Sequence, residues 1–173
     1  MICPDCKKVE LVKKHETVRY EECGLSNVAL QGVSVRQCPA CGNKLVSIPN
    51  LAGLHRSIAM TLVCKPERLL AEEVTFLRKS LGWSKADCAR KLHVRPEQVS
   101  RWESVKAPQL MQVQNELLLR TLVAKGQKIQ DYEDHLEEIA SKEPGGRSLL
   151  SMFFEREQWR NDLKGFPLVD KNP

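Results

Sequence analysis

The sequence predicts an α+β chain of several parts: a small β-rich N-terminal domain built around paired cysteines, an all-α domain, and a C-terminal helical tail. Three observations carry this reading. Two C-x-x-C pairs bracket segments in which apolar and polar residues alternate. Downstream, apolar spacings of three and four take over, punctuated by glycine, proline and capping residues. Hydrophobic residues are 42% and charged residues 28%, which excludes a wholly disordered chain. The expected domains are 1–50 for the cysteine-paired unit, 51–65 for a linking helix, 66–126 for the all-α domain and 127–173 for the tail.

Cys3-Pro4-Asp5-Cys6 and Cys38-Pro39-Ala40-Cys41-Gly42 are two tight turns, each aiming two thiolates at one point. Together they complete a tetrahedral four-sulfur site for one structural Zn2+ per chain, at ~2.3 Å per bond. Four closed ligands leave no position for a reacting water. A redox C-x-x-C needs only one pair, in thioredoxin-like surroundings that are absent. The gap of 31 residues between the pairs exceeds the usual ribbon spacing of ~15–20 and can hold a small antiparallel sheet. A segment this short has too small a core to fold alone, and metal binding of order ~10 kcal/mol can supply the difference. Cys64 and Cys88 fit buried helical positions, and Cys23 is a weaker alternative ligand.

Within the gap, Glu16–Glu21 alternates, and Val28–Gln37 alternates less cleanly. Gly24-Leu25-Ser26-Asn27 separates them as a turn. Three short strands are expected. Asn50 can N-cap a helix over Leu51–Val63, where Leu51, Leu54, Ile58 and Leu62 form one apolar face. His55 and Arg56, on or beside that face, are expected to be solvated. Lys65-Pro66 breaks it.

Four further helices or helix pieces follow. The first covers about Ala71–Leu81 and stops at Gly82. Ser84 caps the second, Lys85–Leu92, with Asp87 three residues on as a variant capping box. His93-Val94-Arg95 is a turn. Pro96 opens the third helix, through Glu103, at the position proline favours. The last runs from Pro108 to about Ala124, and Gly126 ends it.

Two short helices with a tight turn between them form a helix-turn-helix. Ala89 is small at the crossing, Val99 and Trp102 give the second helix its apolar side, and the other side offers Glu97, Gln98, Ser100 and Arg101. Such a helix fits the major groove of double-stranded DNA, where Arg reads guanine and Gln reads adenine. Lys85, Arg95 and Lys106, with Arg78, Lys79, Arg90 and Lys91, can hold flanking phosphates. Charge agrees with this. The net +5 divides into +2 for residues 1–50, +1 for 51–64, +4 for 65–106 and −2 for 107–173, so a polyanion belongs on the middle.

Residues 69–123 resemble the Xre/Cro-type helix-turn-helix domain through Phe76-Leu77-Arg78-Lys79, Leu81-Gly82-Trp83-Ser84, Ala89, Leu92, Val94 and Val99-Ser100-Arg101-Trp102-Glu103. Residues 1–50 resemble the zinc domain of MqsA-type antitoxins through the two knuckles and the strand-rich insert. The order of the parts is that of MqsA-like proteins. The resemblance implies a homodimer formed by the helix-turn-helix domains, a palindromic operator that is often the protein's own promoter, and, in antitoxin members, an RNA-cleaving toxin partner. It puts the family's DNA-contacting arginine on Arg101 and a base-reading residue on Glu97. Three positions depart from the pattern. His93 replaces the usual turn glycine and must take a strained or left-handed conformation, Arg95 replaces the usual Ser/Thr cap, and Ser104-Val105-Lys106 lacks the usual glycine.

In the tail, Ile129, Tyr132, Leu136 and Ile139 recur as a packing or coiled-coil seam. Residues 147–173, with Leu149, Leu150, Met152, Phe153, Phe154 and Trp159, are expected to form a docking helix, on the protein itself or on a partner. The function expected is a dimeric DNA-binding regulator, an autorepressor and the antitoxin of a type II pair. The alternative is a stand-alone zinc-containing Xre-family regulator without a toxin. An enzyme is disfavoured, because His15, His55, His93 and His135 are scattered and no catalytic constellation forms. A zinc-ribbon RNA binder needs exposed strand aromatics, and only Tyr20 offers itself. The N-terminus lacks an apolar signal core and no apolar run reaches the ~18 residues of a membrane helix. A cytoplasmic location without membrane contact is therefore expected, where thiols stay reduced.

Overall fold

The computed structural model describes residues 1–128 and 148–161. They form five strands and five helices in two compact units. The first unit holds residues 1–20, 27–54 and 149–161; the second holds 21–26, 55–128 and 148. No helix among the described residues is long and apolar enough to cross a membrane.

The first unit is a five-stranded sheet: β1 (Val12–Arg19), β2 (Val28–Gln37), β3 (Lys44–Ser47), β4 (Leu150–Glu155) and β5 (Gln158–Asn161). β2 is central. β1 runs antiparallel along one edge. The other edge is divided, with β4 parallel to Val28–Gln31 and β3 antiparallel to Ser34–Gln37. The imperfect alternation of β2 has a local cause. Glu16 pairs with Val33 and Val18 with Leu30, so Gln31 and Gly32 together face Thr17. This bulge, with Gly32 at φ +65°, moves the buried set from Val28 and Leu30 to Val33 and Val35. The shared core is Val28, Leu30, Val33, Val35, Leu150, Met152 and Trp159, all buried, and the Trp159 indole donates to the Pro49 carbonyl at 2.8 Å.

The expected helical tail is corrected here. Residues 150–161 are a β-hairpin, and it packs on this chain as the fourth and fifth strands of the N-terminal sheet. Leu150 and Met152 alternate inward, a period of two that a helix cannot use. The turn residues Arg156 and Glu157 both have positive φ, +47° and +69°, the type I′ geometry of a two-residue hairpin. Neither residue is the Asn or Gly that signals such a turn. The seam from Ile129 to Ile139 lies outside the described residues.

The second unit is helical: most of α1 (Leu51–Cys64), then α2 (Ala71–Ser80), α3 (Lys85–Lys91), α4 (Pro96–Trp102) and α5 (Val113–Gly126). Asn50 Oδ1 accepts from the Gly53 amide at 3.0 Å, as its capping role requires. Gly53 leaves that carboxamide its space, since a Cβ there would stand 2.5 Å from Asn50 Nδ2. α5 begins five residues later than the apolar run suggests. Gln112 is extended at its N-cap, and the Met111 carbonyl is held by the Arg68 guanidinium. His55 is half-buried with its ring edge-on to Phe76, and burial lowers its pKa.

Buried charge ties this unit together. Glu116 (1% exposed) accepts from Arg68 Nε at 2.7 Å, the Leu69 amide at 3.0 Å and Arg120 at 2.9 Å. Arg120 (0% exposed) also donates to the carbonyls of Leu62, Val63, Lys65 and Glu67 at 2.6–3.1 Å. It therefore closes the C-terminal end of α1, where carbonyls lack intrahelical donors. Lys65 Nζ lies 2.9 Å from both oxygens of Glu73. Removing one member of such a buried set costs about 3–5 kcal/mol, because the other is left charged and unpaired.

Candidate functional site

The four predicted cysteines come together. The Cys3 and Cys41 sulfurs are 3.6 Å apart, as are those of Cys6 and Cys38, and all four lie within 4.8 Å of one another. A disulfide has its sulfurs at ~2.05 Å, so these are thiols. A regular tetrahedron with ~2.3 Å metal–sulfur bonds has edges of about 3.8 Å, which this spacing fits. The cluster can hold a metal ion, and four soft sulfur donors suit zinc or iron.

The two knuckles repeat one backbone design. Lys7 N–H donates to the Cys3 carbonyl at 3.1 Å, and Gly42 N–H to the Cys38 carbonyl at 2.9 Å. Lys7 and Gly42, each directly after the second cysteine, both sit at positive φ, +54° and +76°. β2 leads straight into Cys38, and β3 leaves from the far side of its knuckle. Backbone amides point at the sulfurs. The Cys41 amide, opposed by desolvation and aided by the Ala40 amide, lowers Cys38 to about 6. Cys41 receives the Asn43 amide, but the adjoining Cys38 thiol, burial and the other cysteines raise it to about 12. Cys3 and Cys38 are buried, Cys6 is half-buried and Cys41 is exposed. Cys64 and Cys88 are buried and Cys23 is half-buried, all outside the cluster. Desolvation raises all three thiols, Cys88 to about 11.

The second candidate surface is the α3–turn–α4 segment. Ser84 Oγ accepts from the Asp87 amide and Asp87 accepts from the Ser84 amide, both at 3.1 Å, so the capping box forms. α3 ends in a Schellman motif: Val94 N–H reaches the Ala89 carbonyl at 2.9 Å, and His93 N–H reaches that of Arg90 at 3.4 Å. His93 stands at φ +55°, as a residue in the turn-glycine position must. α4 opens at Pro96 with Arg95 as an extended N-cap that makes no side-chain cap bond. Instead, Gln98 Oε1 accepts the Arg95 amide at 3.1 Å.

Val99 and Trp102 are buried, whereas Glu97, Ser100 and Arg101 are exposed at helical spacing. Lys85, Arg95 and Lys106 are exposed too, and Lys85 Nζ reaches Ser100 Oγ at 3.4 Å. Two expectations change. Gln98 is half-buried with its oxygen committed to the cap. Arg78 is no phosphate ligand: it is buried, 2.5 and 3.2 Å from the Glu103 carboxylate, and donates to the Trp83 carbonyl. That pair spans 25 residues, so no local motif announces it. Glu103 matters for the same reason, as it fastens the end of α4 to α2. No family model, no curated protein and no solved structure matches this chain.

Proposed function

We propose that the chain is a sequence-specific regulator that binds double-stranded DNA, with α3 and α4 as a helix-turn-helix and α4 as its recognition helix. One observation carries the reading. A short helix buries Val99 and Trp102, exposes Glu97, Ser100 and Arg101 on one side, and is framed by exposed Lys85, Arg95 and Lys106. Arg101 contacts a guanine edge, Ser100 and Glu97 contact neighbouring bases, and the three framing cations hold phosphates. Gln98 acts indirectly, by fixing the start of α4.

The ion held by Cys3, Cys6, Cys38 and Cys41 is zinc, one per chain. It cross-links the two knuckles and supplies folding free energy rather than a reaction. The protein acts as a homodimer on a palindromic operator and represses its own promoter. Its narrower role, suggested by the MqsA-like order of parts, is the antitoxin of a toxin–antitoxin pair. Rescue of growth on co-expression with the product of the adjoining gene is the result that supports this narrower role. Lack of rescue leaves the stand-alone regulator.

Gel shift against the DNA upstream of its own gene, with unrelated DNA as competitor, tests the main reading. A shift that resists the competitor is expected. Arg101→Ala should cost ~1–3 kcal/mol and relax the preference at one base pair per half-site. An unchanged affinity and footprint for that variant removes the assignment of α4.

A further inference from the structure

The surface of α3, its turn and α4 is cationic with one exception. From Ser84 to Lys106 six basic residues are exposed: Lys85, Arg90, Lys91, Arg95, Arg101 and Lys106. Three acids share the segment. Asp87 is held by Ser84 and Arg90, and Glu103 by Arg78 and Lys85. Glu97 is exposed, and among the described residues its carboxylate forms no hydrogen bond or ion pair.

Glu97 also stands four residues before Arg101, the order in which an ion pair along a helix is favourable. Among the described residues that pair does not form, so both groups are open to a ligand. A carboxylate in such a surface opposes its neighbours. It repels every phosphate backbone that the six cations attract, whatever the base sequence. Only a hydrogen-bond donor on the ligand offsets that repulsion.

We propose that Glu97 fixes a C·G pair in each half-site, accepting from the cytosine N4 amino group and weakening every complex that lacks it there. The inference rests on the reading of α4 as the recognition helix. Each base pair presents one amino donor in the major groove. In an A·T pair that donor lies between two acceptors, adenine N7 and thymine O4, which repel a carboxylate. In a C·G pair it lies at the outer edge of the pattern, with guanine O6 alone beside it. Four residues of helix advance by about 6 Å, so this pair lies within about two base pairs of the one read by Arg101. Glu97 therefore adds discrimination by penalising wrong sequences rather than by strengthening all binding.

The test is selection from a random duplex pool by the full chain, followed by fluorescence anisotropy on the selected duplex and on an unrelated one. Wild type, Glu97→Gln and Arg101→Ala are compared. Wild type should select a C·G pair near the pair that Arg101→Ala relaxes, and replacing it should weaken binding ~5- to 160-fold. Glu97→Gln should select adenine at that position, because a carboxamide pairs with both N6 and N7. The same variant should bind the unrelated duplex more tightly than wild type does. An acid in the first turn that serves only the helix dipole would leave base preference unchanged on this substitution. Unchanged preference in Glu97→Gln therefore overturns the proposal, as does selection of an A·T pair at that position by wild type. If Arg101→Ala still relaxes its own base pair, the helix reading survives that failure. If neither variant changes the preference, or wild type selects no sequence, both readings fall.

Discussion

His93 holds the same backbone position at the end of α3 that Gly82 holds at the end of α2. Gly82 is at φ +71°, with Gly82 N–H on the Lys79 carbonyl at 2.9 Å and Trp83 N–H on that of Arg78 at 3.3 Å. His93 closes the same motif with a Cβ present, and a left-handed non-glycine residue is strained by roughly 1–2 kcal/mol. Glycine has greater freedom in the unfolded chain, which returns part of that gain. His93→Gly should therefore raise stability by about 1 kcal/mol in urea unfolding, without moving α4. Equal or lower stability contradicts the assignment of strain. The left-handed His93 was legible only through the resemblance, since it stands where the Xre/Cro-type pattern has its turn glycine. The Arg78–Glu103 pair was not, since a lysine or arginine on a helix reads the same whether it faces solvent or a carboxylate 25 residues away.

At the scale of the element, the two knuckles are local objects and the sheet is not. Each knuckle closes through bonds within five residues, but the cluster requires β2 and β3 to bring the second knuckle to the first. Cys38→Ser removes one of four sulfurs and a knuckle's anchor. It should abolish stoichiometric metal binding and unfold the first unit, seen as loss of the buried Trp159 indole signal by NMR. The helical unit, held by its own ion pairs, should keep its Trp102 signal. Simultaneous loss of both signals means that the two units are one cooperative body. The strands themselves were only partly readable. β1 alternates visibly, β2 changes phase at the Gly32 bulge, and the β4–β5 turn uses Arg156-Glu157 in place of Asn-Gly.

For the whole molecule, the chain returns to its beginning. Residues 149–161 belong with 1–20 and 27–54, so the first unit is discontinuous in sequence. β4 pairs with Val28–Gln31 in parallel, and Leu150, Met152 and Trp159 are buried. Each large apolar side chain contributes about 1.5–3 kcal/mol on burial, and their sum rivals the whole stability of a small domain. A chain ending at residue 147 should bind metal weakly and expose apolar surface to a dye, while its helical unit melts as before. Full metal stoichiometry and an unchanged melting profile would count against the hairpin as a structural part.

The sequence by itself determined what depends on near neighbours. Cys3, Cys6, Cys38 and Cys41 announced their site by spacing. The Ser84–Asp87 box, Pro96, Gly82 and the apolar positions Val99 and Trp102 placed α2, α3 and α4 to within a residue or two. Only the tertiary structure decided the rest. Leu150–Asn161 became strand because a parallel partner, β2, stood available more than 100 residues earlier. α5 began late because Arg68 holds Met111. Arg78 turned inward to Glu103, and Lys13 came to face Arg36 across a register that neither strand records. Helical periods, caps and knuckles are written in adjacent side chains. Parallel pairing, buried ion pairs and the charge of a sheet face depend on which distant segment arrives, and burial energy summed over the whole chain settles that.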